Sequence, residues 1–176
     1  MALREIRTIG DPILTKKAKE IKIMTPRIRE LIADMFDTLH DANGAGLAGP
    51  QVGVLKRITV IEVEEGKPYV LINPHITSSE GEQTGYEGCL SVPGKSGVVT
   101  RPAKVTVEAL DGEMKPFTLE AEGLLARCVC HELDHLDGGL YVDRVEGELI
   151  DNEELEKMEQ EQNEKEAKQK EQEKPE

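Results

Sequence analysis

One short stretch of this chain has the residue types and spacing of metal chemistry: His131-Glu132-Leu133-Asp134-His135. An α-helix turns about 100° per residue, so positions four apart lie within roughly 40° of each other on its surface. Both imidazoles would then project from one face and reach a single ion. Glu132, one step past the first histidine, can hold a water beside that ion and take its proton. The flanks favour a helix beginning near Glu122. Gly123 precedes an apolar run through Leu124, Leu125, Cys128 and Val129, and Gly138-Gly139 offer the glycine that ends helices.

Two histidines leave a catalytic metal one protein ligand short. The spacing H-E-x-x-H-x-x-G-x-x-H would put a third histidine at position 141. Gly138 is in place, but Tyr141 stands where the ligand would be. A carboxylate from a following helix is a second option, and the acidic C-terminus offers many with none distinguished. A thiolate from upstream is the third, with Cys89 as its candidate. Cys128 lies seven residues of helix from His135, a rise of about 10 Å, which one ion does not span comfortably. Cys130 is turned about 100° from His131 and should face elsewhere.

The 176 residues suit one domain with a sizeable core, built from Leu, Ile and Val because the chain has no Trp, two Phe and three Tyr. A net charge of −13 argues against a nucleic-acid binder that works by neutralising phosphates. The first residues lack a signal-peptide core, and no apolar run reaches membrane-spanning length. Three cysteines, an odd number, fit a reducing cytoplasm better than a disulfide framework. The expected organisation is a catalytic domain over residues 1–150, then an acidic tail over 151–176, helical or disordered. That tail holds eleven acidic residues and five lysines, with Leu155, Met158 and Ala167 its only apolar side chains.

Residues 1–24 read as an irregular arm with a turn at Gly10-Asp11-Pro12. A helix follows, with Thr25 as N-cap, Pro26 in its first turn and an apolar stripe of Ile28, Leu31, Ile32, Met35, Phe36 and Leu39. Asn43-Gly44 ends it, and His40 in its last turn reads as structural. The next stretch, 44–53, contains G-x-G-x-x-G, but a helix precedes it and Pro50 interrupts it. It is therefore a close-approach loop rather than a dinucleotide fingerprint. Strands are expected at 58–63, 69–72, 97–100, 105–110 and 117–121. Asn73-Pro74 should stop the second, leaving His75 in a loop, and 80–86 reads as polar and turn-rich. The order implies an α+β fold, with mostly antiparallel sheets around a central metal-binding helix.

Three segments, Gly44-Ala-Gly-Leu-Ala-Gly-Pro-Gln-Val-Gly53, Glu87-Gly-Cys-Leu-Ser91 and His131-Glu-Leu-Asp-His135, resemble in order and spacing the signature motifs of peptide deformylases. Ile9-Gly10-Asp11-Pro12-Ile13-Leu14 is similar too, and the resemblance covers residues 4–145. It implies a metal held by Cys89, His131 and His135, with Fe2+ usual and Zn2+ or Ni2+ as substitutes. The implied reaction is removal of the N-formyl group from nascent bacterial polypeptides in the cytoplasm, releasing formate. Glu132 would be the base, and the Gln51 side chain and Leu90 backbone N–H would stabilise the oxyanion. Backbone of Gly46, Glu87 and Gly88 would hold the formyl-methionyl peptide as an added strand. Leu124, Arg127 and Cys128, on the His131 side of the helix, would wall the methionine pocket. For Glu87, Arg101 and Asp134, a supporting role beside the ligands and an ordinary surface pairing are equally open. The sequence departs from the family at Gly49, where Ala is usual, at Cys130, where Gln is common, and at Arg127, a less apolar residue than some members carry. Its acidic tail also differs from the basic helix with which some members touch ribosomal RNA, so that contact is not expected here.

Overall fold

The computed structural model describes residues 2–173. Helix α1 (Pro26–Asp41) starts where its capping signals lie: the Thr25 hydroxyl accepts from the Ile28 N–H at 3.2 Å, and Pro26 needs no partner in the first turn. Eight strands follow in chain order: β1 (Gly46–Ala48), β2 (Ile58–Ile61), β3 (Tyr69–Glu80), β4 (Gln83–Cys89), β5 (Val92–Arg101), β6 (Lys104–Leu110), β7 (Pro116–Glu122) and, after helix α2 (Gly123–Leu136), β8 (Glu146–Asp151). Helix α3 (Asn152–Gln172) completes the described chain.

Every strand pair is antiparallel. One sheet has the order β1-β2-β3-β6-β7 and the other β4-β5-β8. Alternation along β2 and β3 sends successive residues to opposite faces of the larger sheet. Ile61 and Leu71, with Val105, Val107 and Ala121, meet Ala126, Val129 and Leu133 of α2. Ile58, Val60 and Ile72 meet the α1 stripe of Ile28, Leu31, Met35 and Leu39. The metal-motif helix is thus buried between the two sheets, with α1 on the far side of the larger one.

Two local expectations are corrected. Strand β3 does not stop at Asn73-Pro74. Asn73 adopts a positive φ of 50°, and the pairing with β6 shifts register between Ile72 and His75. The proline therefore falls in an irregularity where its missing N–H breaks no regular ladder bond. The Asn73 side chain meanwhile accepts from the Ile21 N–H at 2.9 Å and donates to the Ile21 carbonyl at 2.8 Å, pinning the N-terminal arm. His75 accordingly sits on a strand beside Glu108, 3.3 Å away, with both side chains exposed. The polar stretch 80–86 is also not a long turn, because β4 begins at Gln83. A strand with one face in solvent accommodates polar residues as readily as a loop does.

The tail behaves differently from the domain. β8 pairs with β5, and Ser96 Oγ lies 2.5 Å from Asn152 Oδ1 at the start of α3. Beyond that junction α3 buries no residue. Removing residues 157–176 should shift the melting temperature by less than about 3 °C, the scale of roughly 1 kcal/mol in a chain of this length. A calorimetric or circular-dichroism melt tests this, and a larger loss would show that α3 packs on the domain.

Candidate metal centre and substrate cleft

α2 carries both histidines inward, buried on the side facing the smaller sheet. Their Nε2 atoms lie 3.2 Å apart, and Cys89 Sγ, at the end of β4, is 3.3 Å from His135 Nε2. All three donor atoms fall within 4.8 Å of one another. Ligands bonded tetrahedrally at about 2.0–2.1 Å for nitrogen and 2.3 Å for sulfur would stand roughly 3.4–3.6 Å apart. The spacing therefore fits a single divalent ion, and a thiolate with two imidazoles is a donor set for Zn2+, Fe2+ or Ni2+.

Glu87, two residues before Cys89 on the same face of β4, fixes the first imidazole. Its Oε1 accepts from His131 Nδ1 at 2.5 Å and from Arg101 Nη2 at 2.6 Å. Its Oε2 accepts from Arg101 Nε at 3.2 Å and Arg127 Nη1 at 2.9 Å. Burial alone would raise this carboxyl's pKa, but the His131 and Arg101 bonds bring it down to about 2. The anion turns His131 Nδ1 into a donor and leaves Nε2 free to bind. Arg101 Nη1 reaches on to Asp134 Oδ2 at 2.6 Å, and Arg144 donates to both oxygens of that carboxylate, Nε to Oδ2 at 2.7 Å and Nη2 to Oδ1 at 3.1 Å. Glu87 and Arg101 are therefore buried supports of the site, not a surface pair. Burial also opposes charge on His131, yet Cys89 and Glu87 push it up to about 10, whereas His135, buried and facing His131, is held down at about 3.

The sulfur is held by two N–H groups. The Ser91 backbone donates to it at 3.4 Å and Gln51 Nε2 at 3.5 Å. Gln51 Nε2 also donates to Ser91 Oγ at 3.0 Å, while its Oε1 accepts from the Ala48 N–H at 2.9 Å. The arm seals this junction, with the Arg7 N–H on the Gln51 carbonyl at 2.7 Å and the Ile9 N–H on that of Ser91 at 2.8 Å. Nothing in the sequence singled out Ser91 beyond its place in the second motif. Tyr141, where a third histidine was considered, is buried and stacks on His131 with ring centroids 6.0 Å apart.

Glu132 is buried beside these donors, and its Oε2 has no hydrogen-bond partner. Burial pushes its pKa up to about 7, with His131 opposing the rise and Glu87 adding to it. It faces a cleft that collects Gly46, Gln51, Glu87, Gly88, Cys89, Leu90, Leu124, Arg127, Cys128 and His131, and adds Tyr86, which sequence reasoning missed. Of the ligand, catalytic and substrate-binding residues expected from the sequence, His135 is the one that does not line this cleft. β1 and β4 are edge strands of their sheets, and both border the cleft, so an extended chain can pair with either. Arg127 does not leave a loose charge in the wall. Its donors are engaged by Glu87, by the Val99 carbonyl at 3.1 Å and by the Gln83 carbonyl at 3.4 Å.

Two free strand edges, a cysteine sulfur converging with two imidazoles, and an unpaired buried carboxyl group are the equipment of a metal-dependent hydrolase acting on an extended chain. The chain belongs to the polypeptide deformylase family, whose profile matches residues 3–149. It is 62% identical over 151 residues to the peptide deformylase of Lachnoclostridium phytofermentans, covering 85% of this chain and 93% of that relative. With that of Agathobacter rectalis it shares 60% identity over 86% and 95% of the two chains. The crystal structure of a peptide deformylase from Legionella pneumophila superposes with a TM-score of 0.81 at 43% identity, over 99% of this chain and 100% of that one. One from Synechococcus elongatus, in complex with actinonin, gives 0.79 at 43% identity over 82% and 79%. The protein is a hydrolase that removes the N-formyl group from the N-terminal methionine of newly made polypeptides and releases formate.

A Cβ at Gly46 would stand 2.7 Å from Glu132 Oε1 and 2.9 Å from Cys128 Sγ. Gly46→Ala should therefore displace the carboxylate and lower kcat by roughly 10- to 100-fold, since misplacing a reacting group by an ångström costs on this scale. Steady-state kinetics alongside a melting curve test it. Unchanged kcat would mean that Glu132 tolerates the displacement.

Proposed function

We propose that Cys89, His131 and His135 hold the catalytic divalent ion, and that Glu132 is the general base and acid of deformylation. The observation that carries this reading is the unpaired Glu132 carboxylate beside three donor atoms spaced for one ion. A bound divalent ion supplies a Lewis acid that makes water acidic near neutral pH and polarises a carbonyl. Glu132 takes the proton of the attacking water and returns it to the leaving amine, and a carboxyl near pKa 7 suits both directions. Gln51, anchored through its oxygen to Ala48, holds its amide nitrogen beside Cys89, where the formyl oxygen gathers charge. The Leu90 backbone N–H, next in the chain, is the second donor of this oxyanion hole.

The peptide runs along the cleft as an added strand, its backbone meeting Gly46 on β1 and Glu87 and Gly88 on β4. Leu124, Arg127 and Cys128 wall the pocket for the methionine side chain. Fe2+ is the proposed resident ion, with Zn2+ and Ni2+ able to replace it on the same donors. The substrates are formyl-methionyl nascent peptides, which places the enzyme in the bacterial cytoplasm near ribosomes. No direct nucleic-acid contact is proposed. Helix α3 presents acidic side chains that RNA phosphates repel. Among the described residues no helix is long and apolar enough to cross a membrane.

Formyl-methionyl peptide and an acetylated control, with formate as the readout, test the activity directly. Glu132→Gln should keep its metal while turnover falls by about two or more orders of magnitude. Elemental analysis and kinetics on one sample decide this, and near-wild-type turnover would remove Glu132 from its role. Cys89→Ala should lose metal and activity together, whereas Cys128→Ala and Cys130→Ala should purify with metal bound. A fully metallated, active Cys89→Ala protein would overturn the ligand assignment.

A further inference from the structure

The inward face of β4 carries Gln83, Gly85, Glu87 and Cys89 at alternate positions, and these meet α2 at every fourth residue. Gln83 Nε2 donates to the Gly123 carbonyl at 2.7 Å. Glu87 holds His131 at 2.5 Å, and Cys89 Sγ lies 3.3 Å from His135. The remaining rung pairs Gly85 with Arg127. Among the described residues, the only atom outside its chain neighbours within 4 Å of a Cβ built on Gly85 is Arg127 Nη2, at 3.6 Å. A Cβ alone would make only ordinary contact there, and it is a side chain with atoms beyond Cβ that would reach into the space of the guanidinium. Arg127 is 7% exposed and bonds three groups at once: the Glu87 carboxylate, the Val99 carbonyl on β5 and the Gln83 carbonyl on β4.

We infer that Arg127, with the space left by Gly85, is a positioning residue for the metal centre, and that the two act as one matched pair. The inference rests on the Cys89–His131–His135 site proposed above. Arg127 works through Glu87. Arg101 already takes both carboxylate oxygens, and Arg127 adds a second donor to Oε2, so rotation of the carboxyl would break bonds on two sides. A fixed Glu87 fixes the His131 ring. The same guanidinium ties the β4–β5 hairpin, which carries Cys89, to the helix that carries His131 and His135. A Lys here would be a point charge without the fork that reaches three acceptors. A larger residue at position 85 would push the guanidinium off them.

The test uses full-length, zinc-loaded enzyme and measures the rate at which a chelator such as dipicolinate strips the metal, together with kcat and KM for a formyl-methionyl peptide. Arg127→Met should be stripped faster and should lose kcat, each by about 10-fold or more, the effect usual for groups that orient ligands. Arg127 also lines the methionine pocket, so KM can change with it; the stripping rate, measured without substrate, is the readout that a pocket wall alone would not move. Arg127→Lys should fall between Arg127→Met and wild type. Gly85→Val should reproduce Arg127→Met, and the double variant Gly85→Val/Arg127→Met should be no worse than Arg127→Met alone. If Arg127→Met does not fold, Gly85→Val and Arg127→Lys still give the two readouts. Wild-type stripping rate and kcat in these variants, with only KM or melting temperature changed, would overturn the inference. So would penalties at 85 and 127 that add in full. A Cys89→Ala control that kept its zinc would instead overturn the site itself.

Discussion

Strand β4 and helix α2 lie side by side in the same direction, and the rest of the site depends on how nearly their repeats match. Two residues of strand advance about 6.7 Å and four residues of helix about 6.0 Å. Over three steps the mismatch stays within the reach of side chains, so Gln83, Gly85, Glu87 and Cys89 meet Gly123, Arg127, His131 and His135 in turn. One thiolate, two imidazoles and the carboxylate that orients one of them are thereby brought together by regular elements rather than by loops. Such a site is held more exactly than one carried on flexible segments.

The same register concentrates charge in the interior. Glu87, Arg101, Arg127 and His131 are each less than a tenth exposed, and each finds at least one partner within the group. A buried ion pair gains little over apolar packing of the same shape, but removing one partner typically costs about 3–5 kcal/mol because it strands the other. The network is therefore better understood as fixing geometry than as the main source of stability. Stability comes from the apolar contacts of α2 and α1 with opposite faces of the larger sheet. Glu132 stands outside this network, buried with an oxygen unpaired, and that is what leaves it available to a proton.

The two sheets present their edges to the cleft. β1 and β4 both border the cleft, and among the described residues neither has a second strand partner. The N-terminal arm locks the ends of these edges together, bonding Gln51 after β1 through Arg7 and Ser91 after β4 through Ile9. Both edges leave backbone N–H and C=O groups facing the cleft, where an extended chain can pair with them.

Much of this was legible in the residues. The histidine pair on one helix face, the adjacent carboxylate, the cap of α1 and its apolar stripe all rest on local periodicity, and three motifs together pointed to the family. The strand at 83–89 was not legible, because a strand half in solvent has the composition of a turn, and β3 continuing through Asn73-Pro74 depended on an arm fifty residues away. Sequence also left Glu87 and Arg101 undecided between support and surface, gave Ser91 no role beyond its place in a motif, and marked Arg127 only as less apolar than some members carry. Those answers belong to the tertiary structure. Whether a polar side chain is a loose surface group or a fixed part of a site depends on which distant groups satisfy it once water is gone. Local sequence sets which face of a helix or strand a residue occupies; only the packing of β4 against α2 decides what that face meets.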